Sequence, residues 1–126
     1  MPIFYFVPDE DVDALKKPLT AERLLRSLGA TGKLAGFRCT AYMIERIQDN
    51  PEQLQLITKR LYKETGKRFS VSAVSVERNL RTLIRLCWKR TDHSFLEHIA
   101  GTTLKNPPTN SEFLDILASY LRETSN

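Results

Sequence analysis

Apolar residues along this chain recur chiefly at three- and four-residue intervals, the period of helices that turn one face to a core. The clearest case is residues 58–90, which read as a basic helix, a tight turn at Phe69-Ser70-Val71-Ser72 and a longer helix over about 72–90. At 100° per residue the longer helix gathers Val76, Leu80, Leu83, Ile84 and Cys87 on one face. The opposite face carries Ser75, Arg78, Thr82, Arg85 and Lys89, with Arg81 on its flank. Two helices joined by a short turn, the second cationic outward, describe a helix-turn-helix of the kind that presents its second helix to a DNA major groove.

The remaining pattern is helical as well. Thr20 reads as the N-cap of a first helix that carries Leu24, Leu25 and Leu28 and stops at Gly29. After a turn at 29–32, a second helix over about 33–48 presents Leu34, Phe37, Ala41, Ile44 and Ile47. Asn50-Pro51-Glu52-Gln53 has the order of a helix start, and a third helix runs from it to about residue 68 over Leu54, Ile57 and Leu61. Gly66 inside that helix costs about 1 kcal/mol relative to Ala, which predicts fraying or a bend near its end. Ser70 or Ser72 caps the fourth helix, and Trp88 near its end reads as a core anchor.

Two capping boxes follow, Ser94-Phe95-Leu96-Glu97 and Thr109-Asn110-Ser111-Glu112. They open a short helix at about 94–99 and a last helix with Phe113, Ile116, Leu117, Tyr120 and Leu121 apolar. The expected fold is all-α, a compact bundle of about six helices with an embedded helix-turn-helix. Residues 3–7, aromatic and β-branched between Pro2 and Pro8, are the one strand candidate. With the acidic linker behind them they make residues 1–18 an N-terminal extension to a domain over 19–126.

Charge sharpens this picture. From Lys59 to Arg90 ten basic residues stand against two acidic ones, Glu64 and Glu77, whereas the whole chain nets only +4. A mildly acidic body with one concentrated cationic module suits phosphate neutralisation better than general solubility. Histidine occurs only at His93 and His98, five apart, which a helix does not bring to one face. Gly29, Gly32 and Gly36 have neither a feeding strand nor a following Gly-Lys-Ser/Thr, so they are not a phosphate loop. The expectation is a protein with no catalytic, cofactor or metal residues.

Cys39 and Cys87 sit among apolar helical neighbours and read as small core residues of a reduced cytoplasmic protein. No run approaches the roughly 18 apolar residues of a membrane span. The apolar start lacks a basic leader and runs into Asp9, Glu10, Asp11 and Asp13, unlike a secretory signal.

Val76-Glu77-Arg78, Arg81, Ile84 and Trp88 followed by Arg90, together with Pro108-Thr109-Asn110-Ser111-Glu112-Phe113, carry a family likeness. Over about residues 20–123 the chain resembles the C-terminal effector domain of the stage-zero sporulation protein A family, response regulators of endospore formation. Leu28-Gly29, Gly36-Phe37, Ile57-Thr58-Lys59, Leu61-Tyr62 and residues 67–69 fall into line with it. The resemblance implies six helices, a helix-turn-helix in the third and fourth, and binding to short guanine-containing boxes in promoter DNA. It also implies head-to-tail pairing of two copies on tandem sites, contact with RNA polymerase and a role in sporulation.

At the family's reading positions stand Ser75, Glu77, Arg78, Arg81 and Thr82, the candidate base contacts. The fork of Arg78 fits guanine O6 and N7, and Arg81 is next as a base or phosphate contact. Glu77 either accepts from a cytosine amino group or orients an arginine. Lys59, Lys67, Arg68, Arg85, Lys89 and Lys105 are the candidate phosphate contacts.

The departures are specific. The family's Ser-Arg is Val74-Ser75 here and its His is Thr82, so one base-reading arginine is absent. Pro107 stands where the family has lysine. Residues 3–7, or Leu15-Lys16-Lys17-Pro18-Leu19, read as a trace of the receiver domain that precedes the effector in the family. The alternative reading is an interaction or antagonist module that keeps the fold with relaxed or lost base specificity.

Overall fold

A computed structural model of the protein describes residues 19–90 and 92–124. Six α-helices lie among them: α1 (Ala21–Ser27), α2 (Phe37–Asp49), α3 (Tyr62–Phe69), α4 (Ala73–Arg90), α5 (Ser94–Ala100) and α6 (Asn110–Thr124). The strand expected at 3–7, the acidic linker and the receiver trace lie outside the described residues.

The first helix forms as its caps dictate. Thr20 Oγ1 accepts from the Arg23 N–H at 3.2 Å, and Gly29 takes a left-handed φ of 99° behind the last turn. The second helix begins at Phe37 rather than near residue 33. Gly36 has φ 85°, and a Cβ there would lie 2.8 Å from Asn79 Cβ, so the chain turns against α4 before it can wind.

The expected uniform third helix is instead three kinds of turn in series. Asn50 Oδ1 accepts from the Glu52 N–H, but it opens a 3-10 segment, Pro51–Leu56, that passes into a π turn, Ile57–Leu61, before α3. At the junction Leu56 leaves helical geometry (φ −109°, ψ 26°), and the Tyr62 N–H reaches five residues back to the Ile57 carbonyl. Leu61 is buried as expected, whereas Leu54 and Ile57 pack only half-buried against the core.

The helix does not fray at Gly66 but continues to Phe69. A Cβ at this position would lie 2.5 Å from the Val71 carbonyl oxygen and 3.3 Å from the Ala73 nitrogen. The glycine therefore lets the turn pack directly on α3. The Val71 N–H returns a hydrogen bond to the Gly66 carbonyl at 2.9 Å, and Ser70 bends the chain with φ 60°. Ser72, not Ser70, caps α4, its Oγ accepting from the Ser75 N–H at 3.0 Å.

The two downstream capping boxes part company. Thr109 and Glu112 exchange both bonds, at 2.8 and 3.2 Å. Ser94 does not cap α5: Asp92 Oδ1 accepts from its N–H and its hydroxyl, and Glu97 turns away to accept from the Leu104 N–H at 2.7 Å. The charged acceptor two residues upstream takes the role that spacing assigned to serine.

One core unites the helices. Leu24 and Leu25 of α1, Phe37, Met43, Ile44 and Ile47 of α2, Leu80 and Leu83 of α4, and Phe113, Leu114 and Leu117 of α6 are fully or almost fully buried in it. Trp88 packs half-buried against it, and Cys39 and Cys87 are buried and unbridged. Arg122 donates to the Ile47 and Gln48 carbonyls, and Arg90 to the Gly29 carbonyl, so two cations close the C-terminal ends of α2 and α1.

Helix propensity predicts that Gly66→Ala stabilises the protein by about 1 kcal/mol. The contact with Val71 predicts the reverse, a net loss of about 1–3 kcal/mol from overpacking, read from the denaturant midpoint at unchanged slope.

Candidate nucleic-acid interface

Burial fixes how α4 is rolled about its axis. Val76, Leu80, Leu83, Ile84 and Cys87 are the buried residues of this helix, as the period predicts. Arg78, Arg81, Thr82, Arg85 and Lys89 are exposed along its length, with Ser75 half-buried at its start. At 1.5 Å per residue the helix is about 27 Å long, and Arg78 and Lys89 are about 16 Å apart along it. Contacts from such a helix to base edges come from its N-terminal part, which here holds Ser75, Arg78, Arg81 and Thr82.

These side chains are held differently. Arg78 makes no hydrogen bond or ion pair among the described residues, so its guanidinium keeps its full donor set. Arg81 is gripped by Glu77 one turn earlier, Nε donating to Oε2 at 3.2 Å and an η nitrogen to both carboxylate oxygens, the Oε2 contact at 2.5 Å. Both Glu77 oxygens are thus turned to Arg81, the arrangement of an orienting group rather than of a free acceptor.

Asn110, the first residue of α6, completes the clamp. Its amide nitrogen lies 3.0 Å from the Tyr62 hydroxyl, 3.3 Å from the Glu77 carbonyl and 3.5 Å from Glu77 Oε2. Beside it runs a groove of about 700 Å³ between α4, the π turn and the loop before α6, with Val74, Arg81, Arg85, Thr58 and Pro108 in its walls. The role of Asn110 could not be read from spacing. The only signal was its place in the Pro-Thr-Asn-Ser-Glu-Phe run.

The other cationic positions flank α4. Lys67 and Arg68 are exposed in the last turn of α3, Lys59 is exposed in the π turn, and Lys105 is exposed in the loop leading to the groove. The Arg68 guanidinium stacks 5.1 Å from the Tyr42 ring centroid and 5.7 Å from that of Phe69. Arg38 of α2 lies 5.6 Å over the same Phe69 ring. The fold thereby adds a cation to this edge that no sequence period connects to α4. Arg46, close by, is spent differently: it pairs with Glu64 at 2.9 Å, and Glu64 also accepts from the Tyr42 hydroxyl at 2.7 Å. The Tyr42 bond, then Arg46, holds the Glu64 carboxyl below its ordinary range.

No group of His, Cys, Asp and Glu among the described residues could hold a metal ion. His93 is stacked on Trp88 with its Nε2 2.8 Å from the Trp88 carbonyl, while His98 lies against Phe95. No described helix is long and apolar enough to cross a membrane.

The hydrogen bonds from Arg81 are the main cause that lowers the Glu77 carboxyl from its ordinary 4.5. A depressed acid stabilises the fold fully above that ordinary value and loses its contribution as pH falls through the lowered one. A carbon-13 NMR titration should show Glu77 protonating below 4.5, and Arg81→Ala should return it toward that value.

Residues 21–121 match the family model described as Sporulation initiation factor Spo0A C terminal. The match opens with α1 and closes inside α6, so it takes in the helix-turn-helix, the clamp and the groove. The resemblance read from the sequence is thereby borne out. The chain belongs to the Spo0A C-terminal family, whose members are DNA-binding regulatory domains.

Proposed function

We propose that the protein is a sequence-specific regulator of transcription that inserts α4 into the major groove of double-stranded promoter DNA. The observation that carries this reading is the pairing of an unencumbered Arg78 with a clamped Arg81 on the exposed N-terminal half of α4. A free guanidinium fork can adapt to guanine O6 and N7 at little cost. A clamped one is already ordered and loses less side-chain entropy when it meets a base or phosphate.

In this reading Glu77 acts by orienting Arg81, while Ser75 and Thr82 face the bases beside Arg78. Lys59, Lys67, Arg68, Arg85, Lys89 and Lys105 neutralise phosphates on either side, and Arg38 joins Arg68 on the α3 edge. Phosphate contacts fix the register of the helix on the duplex, and the arginines of α4 supply preference. The proposal extends to tandem promoter sites, pairing of two copies, contact with RNA polymerase and a role in sporulation.

Fluorescence anisotropy on duplexes selected from a random pool tests this. Affinity should fall steeply with salt, by about 0.9 logarithmic units per decade for each neutralised phosphate. Arg78→Ala should lose about 1–3 kcal/mol of discrimination at one guanine position. Lys89→Ala should weaken all sequences alike and flatten the salt slope by about 0.9. Recovery of no enriched sequence would overturn the proposal in favour of an interaction module.

A further inference from the structure

Val74 is 62% exposed, more than any other large apolar side chain among the described residues. It stands in the first turn of α4, one turn before Arg78, and in the wall of the groove beside Arg81. Its neighbour Ser75 is engaged by the cap: the Ser75 N–H donates to Ser72 Oγ, and the Ser72 hydroxyl donates to Ser75 Oγ at 3.1 Å. The freest side chain at the tip of this helix is therefore a rigid pair of methyl groups. A β-branched side chain has few rotamers to lose on contact.

Val74 is not among the side chains packed against the core, and β-branching weakens the start of a helix slightly. In the major groove the apolar feature of a base pair is the 5-methyl group of thymine. Four residues of helix separate Val74 from Arg78, about 6 Å along the axis, which is close to two base-pair steps at 3.4 Å each.

Resting on the reading of α4 as a major-groove helix, we infer that Val74 is a specificity-determining residue that recognises a thymine methyl within two base pairs of the guanine read by Arg78. The test uses the selected duplex with each thymine replaced in turn by deoxyuridine, which removes the methyl and leaves base pairing intact. The full chain should bind about fourfold more weakly when one such methyl near the Arg78-dependent guanine is removed, as expected for burying one methyl. Val74→Ala and Val74→Ser should narrow the gap between the thymine and deoxyuridine duplexes, serine, which carries no methyl, closing it.

Two results overturn the inference alone, while guanine preference persists. Either no deoxyuridine replacement weakens binding, or the penalty survives in both Val74 variants. Failure of the pool to yield any preferred sequence would instead remove the reading of α4 itself, and the thymine contact with it.

Discussion

Which way α4 faces is decided by burial and by nothing weaker. Val76, Leu80, Leu83, Ile84 and Cys87 enter the common core from one side of the helix. Full burial of an aliphatic side chain of this size contributes about 1.5–3 kcal/mol. Rolling the helix by one residue would return that stripe to water and drive Glu77 and Arg81 toward the core, where charges are expensive to desolvate. The cationic face is thus the unavoidable complement of the apolar one, and every property of the candidate interface follows from this lock.

Around that lock the fold adds precision at close range. Gly66 lets the turn lie directly on α3, so the two helices meet with no side chain between them at that point. Gly36 does the same where the start of α2 meets Asn79 of α4. Asn110 then joins α6 to α3 through the Tyr62 hydroxyl and to α4 through Glu77, and Glu77 sets the angle of Arg81. A chain of polar contacts thereby runs from the last helix to the surface of the fourth. One arginine is presented ordered and its neighbour is left free to adapt.

What the sequence disclosed and what it hid divide along physical lines. The faces of α4 and the Thr109–Glu112 capping box were legible, because each depends on residues three or four apart. The stop of α1 at Gly29 was legible for the same reason. The late start of α2 was hidden, since it arises from an approach of Gly36 to Asn79 across 43 positions of chain. Gly66 looked like a weak point in a helix because propensity counts the missing side chain and cannot see the turn packed against it. The Ser94–Glu97 spacing misled, because Asp92 and the Leu104 N–H compete for the same groups. Within the candidate site the exposed stripe and the Glu77–Arg81 pair, four residues apart on one helix, were readable, while the reach of Asn110 to Glu77 and the arrival of Arg38 beside Arg68 were settled by tertiary contact.

The proposed recognition lies on one face of one helix, and amide and side-chain NMR during titration with a selected duplex tests that most directly. The largest shifts should fall on Val74, Ser75, Arg78, Arg81 and Thr82, with smaller ones at Arg38, Arg68, Arg85 and Lys89, and α1 and α5 should stay quiet. Shifts centred on α5 or α6, with the exposed face of α4 unmoved at saturation, would contradict the account.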